Sequence, residues 1–141
     1  MGNFNKNEVA NNLSAMIKID TVENNGDLSK FYQFHQLLEN LYPNLHKYSE
    51  KIEIEGSLLF KIKGKKQNLQ PILIMSHHDV VDADGKWKYP PFEGVIEDEC
   101  VWGRGAVDTK GSLCAFLEAT ESLLKEGFIP ECDLYLASSC N

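Results

Sequence analysis

The sequence predicts an α/β fold, a three-layer domain in which a mixed, mostly parallel sheet is flanked by helices. Two short apolar runs, Ile72-Leu73-Ile74-Met75 and Leu134-Tyr135-Leu136-Ala137, lack the alternation of a half-solvated strand. Both read as strands covered on two faces. Three amphipathic stretches at helical spacing accompany them. With 141 residues, 43% hydrophobic and 25% charged, the chain is in the globular range and long enough to bury one core.

Val9, Leu13, Met16 and Ile17 fall at i, i+4, i+7 and i+8, one stripe of a first helix. The polar stretch Glu23-Asn24-Asn25-Gly26-Asp27 breaks that pattern and supplies a cap for a second helix. Leu28, Phe31, Phe34, Leu38 and Leu41 line one side of it, and Pro43 stops it. Ile52, Ile54, Leu58, Phe60 and Ile62 alternate around Gly56 as two half-buried strands joined by a turn, with Lys61 and Lys63 toward water. Val95-Ile96 and Cys100-Val101-Trp102, on either side of Glu97-Asp98-Glu99, predict a hairpin. Leu113, Phe116, Leu117, Thr120, Leu123 and Leu124 mark a third helix, ended by Gly127 with Pro130 beyond. His35 on the second helix and His46 just after it read as surface or boundary residues.

Fourteen Lys and Arg against 21 Asp and Glu give a net charge of −7. That argues against nucleic acid as partner, since a phosphate-backbone binder needs a basic face. The four cysteines have no CxxC spacing and read as reduced thiols, mostly buried as small apolar residues. The N-terminus lacks the apolar core of a signal peptide, and Lys6 replaces the Ser/Thr of a myristoylation signal. No apolar run approaches about 18–20 residues. Neither a leader nor a membrane partner is expected, and the expected location is cytoplasmic.

Chemistry concentrates between residues 76 and 112. His77 sits just past an apolar strand, where open α/β sheets usually bind ligands. If strand geometry persists through Asp79, a period of two puts His77 and Asp79 on one face and His78 on the other, a packing residue. Neutral imidazole is a good zinc ligand, and a nearby carboxylate fixes its tautomer. Asp108 stands just before the third helix, 108 − 77 = 31 residues from His77. On spacing alone the signal is weak, and a structural or solvated role is the commoner reading of a His and two Asp in loops. Lys110-Gly111-Ser112 does not match the phosphate-loop spacing, and nothing in the sequence pairs Cys140 with a base.

The whole string is more specific. Ser76-His77-x-Asp79-Val80-Val81, Trp87 followed by Pro90-Pro91-Phe92, and Trp102-Gly103-Arg104-Gly105-x-x-Asp108-x-Lys110-Gly111 resemble the co-catalytic zinc exopeptidases of the carboxypeptidase S and aminoacylase type. That family includes the acetylornithine deacetylases and succinyl-diaminopimelate desuccinylases. The resemblance covers about residues 72–124. It implies His77 as ligand of one zinc, Asp79 as the catalytic-site carboxylate that orients it, and Asp108 as a bridge between two zinc ions, with cobalt or manganese as substitutes. It also implies a cis peptide after Asp108. Gly103, Gly105 and Gly111 look like points of close backbone approach, and Arg104 like a structural hydrogen-bonder. Trp87 and Phe92 line the substrate approach or cover the core.

The chain also departs from that family, in which the strand matching Leu134–Ala137 runs into an acidic pair, a general base and a zinc ligand. Here Ser138-Ser139-Cys140-Asn141 follow. Two of five usual ligand positions are present. Residues 1–141 are therefore expected to be the N-terminal part of a catalytic domain, truncated, without the lid and dimerisation domain, and inactive alone. The implied function is zinc-dependent hydrolysis of amide bonds in peptides or N-acyl amino acids. The alternative is a non-catalytic metal- or partner-binding module of the same fold. A homodimer is expected of the intact enzyme, and self-association of the fragment.

Overall fold

The computed structural model describes residues 5–140. Four helices, α1 (Lys6–Ile17), α2 (Ser29–Leu41), α3 (Pro43–Tyr48) and α4 (Lys110–Lys125), accompany six strands. The strands are β1 (Glu50–Ile54), β2 (Ser57–Ile62), β3 (Ile72–His77), β4 (Val95–Glu97), β5 (Cys100–Trp102) and β6 (Leu134–Ser139). Four of them form one sheet in the order β1-β2-β6-β3, and β4 and β5 form a separate hairpin.

Local chemistry accounts for the element ends. Asn5 caps α1 through Asn7 N–H, and Asp27 accepts from Ser29 N–H at 2.9 Å ahead of α2. That bond holds the Asp27 carboxyl below its usual pKa. The hairpin between β1 and β2 turns on Glu55 and Gly56, both at positive φ, as a two-residue turn matched to strand twist requires. At the end of α4, Gly127 N–H bonds Leu124 O and Phe128 N–H bonds Leu123 O, the paired pattern of a left-handed glycine stop.

One core joins all four helices to one sheet face. Met16, Phe34, Leu38, Tyr42, Leu45, Leu113 and Leu117 pack with Leu58, Phe60, Ile62 and Leu136. The class stands as read, a mixed sheet flanked by helices, but two finer expectations do not. Only the β3–β6 pairing is parallel, and β1–β2 and β2–β6 are antiparallel, so the sheet is not mostly parallel. The described residues also make two layers, not three. The cross-strand row Ile52, Leu59, Ala137 and Met75 lies on the face away from the helices. Met75 is 68% exposed there. Ile72–Met75 is thus an open edge strand and not one covered on two faces.

Two smaller readings also change. Pro43 stops α2 but also opens α3, where its missing N–H costs nothing. The α3 N-terminus is capped by Glu121 of α4, which accepts from the N–H groups of Asn44 and Leu45. His35 is buried, because its Nδ1 meets Glu53 Oε2 at 2.8 Å and its Nε2 meets Gly56 O at 2.9 Å. Of the four free cysteines, Cys114 and Cys140 are buried and Cys100 is exposed.

Candidate metal centre

The site forms where β3 ends beside the start of α4. His78, the residue after the strand, is anchored inward. Its ring stacks on Phe34 with centroids 5.1 Å apart, Ser138 Oγ–H donates to Nδ1, and Nε2–H donates to Gly56 O at 3.0 Å. Burial first, then the neighbouring His35, pushes its pKa down to about 3, so the ring is neutral. With His78 turned into the core, His77 faces outward, as the period of two predicts.

His77 Nδ1–H donates to the backbone carbonyl of Asp79 at 3.2 Å, and Nε2 lies 3.1 Å from Asp108 Oδ1. The Asp79 carboxylate also approaches Nδ1, to 3.2 Å, but off the hydrogen-bond line, so that buried Oδ1 has no hydrogen-bond partner. Residue 79 orients the imidazole through its main chain at least as much as through its acid. Asp108 is largely exposed. Nε2 and the Asp108 carboxylate converge to hydrogen-bonding distance, and with the Nδ1 proton committed the same two groups can act as electron-pair donors to one cation. Two ligands of one tetrahedral zinc stand roughly 3.3 Å apart, so the pair fits a shared ion. Among the described residues no group of three or more His, Cys, Asp and Glu converges in this way.

The pair borders a pocket of about 220 Å³ walled by Val80, Arg104 and Val107. Arg104 acts as the structural hydrogen-bonder expected of it, donating to Asp82 O at 2.8 Å with its guanidinium over the Trp87 ring. Gly105, at φ +84°, carries the chain past Val80 and Lys110, and a Cβ on Gly111 would strike the Ala106 carbonyl. The Asp108–Thr109 peptide is cis, as the resemblance implied.

Two residues that the motif reading left without a role hold the site together. Thr109 Oγ1 donates to His77 O, accepts from His77 N–H, and meets Ser76 Oγ at 2.7 Å, which clamps the two ligand-bearing segments. Lys110 is fully buried, and its Nζ donates to Met16 O and Ile19 O, tying the α4 start to the α1 end. Burial lowers its pKa to about 7. A lysine at the first position of a helix stands at the unfavourable end of the dipole, and that misplaced charge was the available sign of a tertiary partner.

Residues 73–141 match the sequence profile of peptidase family M20/M25/M40. A probable carboxypeptidase S-like 2 from Dictyostelium discoideum is 43% identical over 111 residues, 77% of this chain and 21% of that protein. The chain belongs to this peptidase family. A human N-fatty-acyl-amino acid synthase/hydrolase is 34% identical over 132 residues, 89% of this chain and 26% of that relative. The crystal structure of human carnosine dipeptidase 1 superposes with a TM-score of 0.72 at 17% identity, over 96% of this chain and 32% of that one, and shares its fold. The chain spans between about a fifth and a quarter of the length of these curated M20 relatives. Among the described residues, no helix is long and apolar enough to cross a membrane.

Proposed function

We propose that this chain supplies His77 and Asp108 as metal ligands, and Asp79 as the group that orients His77, to a zinc-dependent hydrolase of amide bonds in peptides or N-acyl amino acids. The observation that carries the reading is the 3.1 Å approach of His77 Nε2 to Asp108 Oδ1, beside an Nδ1 already held by residue 79. Membership of a peptidase family and the activities for which its relatives are named support the reaction class. Zinc held there would polarise an amide carbonyl and lower the pKa of a water from 15.7 toward about 7. The chain's own part is to hold two donors in place, one on the β3 end and one at the head of α4, with Thr109 fixing their separation.

No described carboxylate besides Asp79 and Asp108 lines the pocket, which favours a second reading for the chain by itself, metal binding without turnover. Zinc titration by calorimetry tests the ligand assignment. His77→Ala and Asp108→Ala are each expected to weaken zinc affinity by about tenfold or more, and Asp79→Asn by roughly tenfold. Unchanged affinity in both alanine variants would overturn it. Release of glycine from N-acetylglycine by the zinc-loaded 141-residue chain would overturn the second reading.

A further inference from the structure

The main sheet has two edges, β1 and β3, and they differ in how they face strand addition. β1 reads Glu50-Lys51-Ile52-Glu53-Ile54, with three charged side chains in five residues. Charge of that kind is the usual defence of an edge. The stretch Pro71-Ile72-Leu73-Ile74-Met75-Ser76 carries no charge, and Ile72, Leu73, Ile74 and Met75 are all exposed.

The main chain shows how much of the β3 edge is open. Ile72 N–H bonds Asp133 O and His78 N–H bonds Ser139 O, so the even-numbered residues turn their backbone groups toward β6. Leu73, Met75 and His77 then turn theirs outward. At His77 both outward groups are held by Thr109 Oγ1. At the other end Pro71 has no N–H to offer. Between those two stops, Leu73 and Met75 each present an N–H and a C=O that make no hydrogen bond among the described residues.

We infer that this edge pairs with the same edge of a second copy of the chain, antiparallel, with Leu73 of each copy opposite the partner's Met75. The open groups themselves select that register. Residues of a hydrogen-bonded antiparallel pair exchange both bonds, so the two pairs satisfy every open group on both copies. Pro71, without a donor, then stands opposite the partner's His77, whose groups Thr109 already holds. A slip of two residues either way leaves groups of Leu73 or Met75 without a partner. The edge is therefore complementary to itself, and the two-fold axis passes between the two Ile74 residues. The two four-stranded sheets join into one, with the helices of both copies on the same face.

Cysteine cross-linking of the 141-residue chain reads the register. In a Cys100→Ser background, which removes the exposed thiol, Ile74→Cys brings two cysteines to about 4.5 Å between Cα atoms. That lies inside the disulfide range of roughly 4.4–6.8 Å. Leu73→Cys and Met75→Cys place like residues on a diagonal of about 7–8 Å, outside it. Under mild oxidation, covalent dimer is expected to form about tenfold faster or more from Ile74→Cys than from either neighbour.

Amide exchange of the unsubstituted chain needs no variant to fold. From dilute to concentrated solution, the Leu73 and Met75 amides should slow by about tenfold or more, while the β1 amides stay as they were. His77→Ala, which keeps the main chain, should associate within about twofold of wild type, so this proposal and the metal assignment fail separately. A monomer at every concentration would overturn the second copy and leave the edge to a strand of another origin. Equal cross-linking at residues 73, 74 and 75, or slowing at β1 instead of β3, would overturn the proposal as well.

Discussion

Strands β2 and β3 flank β6 in the same sheet and have six residues each, yet their surroundings are opposite. β2 alternates, and its Leu58, Phe60 and Ile62 are buried under the helices. β3 is the more continuously apolar of the two, and Ile72, Leu73, Ile74 and Met75 are all exposed. The difference teaches that alternation identifies which face of a strand meets the core, whereas an unbroken apolar run states only that the strand tolerates cover. Position in the sheet decides whether cover is there, and β3 is an edge.

The largest effect that tests this contrast is on the covered side. Phe60 is 1% exposed, with the His46 ring edge-on at 5.0 Å. Phe60→Ala is expected to cost about 3–5 kcal/mol, from lost burial and the cavity left behind. Urea denaturation reads it directly. A cost under about 1 kcal/mol would mean that the β2 face is as loosely held as β3, and the contrast would fall.

An intermediate effect concerns the junction of the two regions, where His78 leaves the end of β3 and enters the core. Its folded pKa is depressed to about 3 by burial and by His35, against about 6.5 in an unfolded chain. As pH falls below 6.5 the unfolded state takes up the proton first, so stability is full above that value and is lost progressively toward pH 3. Between pH 7.5 and pH 5 the loss from this group is about 2 kcal/mol. His78→Gln, which keeps an amide donor for Gly56 O, should lower stability at pH 7.5 but flatten the dependence over that interval. An unaltered slope would show that other groups carry it.

Much of the site was legible in the sequence, and the reason is that a motif is local. His77 and Asp79 are two residues apart on an extended segment, so the period of a strand is enough to put one beside the other and His78 behind them. The approach of Asp108 came from family resemblance and not from spacing, because 31 residues of chain do not dictate a distance. Thr109 and Lys110 stood inside the motif without a role, since each acts through a backbone carbonyl on another element. The same limit hid α3, whose cap comes from Glu121 on α4. It also hid the burial of His35, whose partners lie 18 and 21 residues away on a hairpin. Element type was readable from pattern, while strand order and the number of layers depended on contacts that no local pattern encodes.

The smallest effect on stability is expected on the open face, where its absence is the informative result. Met75, 68% exposed on β3, pairs in register with Ala137 and sits in the row with Ile52 and Leu59. Met75→Lys removes no buried contact and should leave monomer stability within about 0.5 kcal/mol. The same charge is the kind that natural edge strands use to prevent strand addition. A second copy adding to this apolar edge would account for self-association of the chain, which sedimentation at high concentration should register as a mass above one chain, falling toward the monomer in Met75→Lys. A wild-type chain that stays strictly monomeric would remove the second copy as occupant of this face. A Met75→Lys variant as unstable as Phe60→Ala would be the more damaging outcome, because β3 would then be supporting the fold as β2 does, and exposure would no longer separate the two strands.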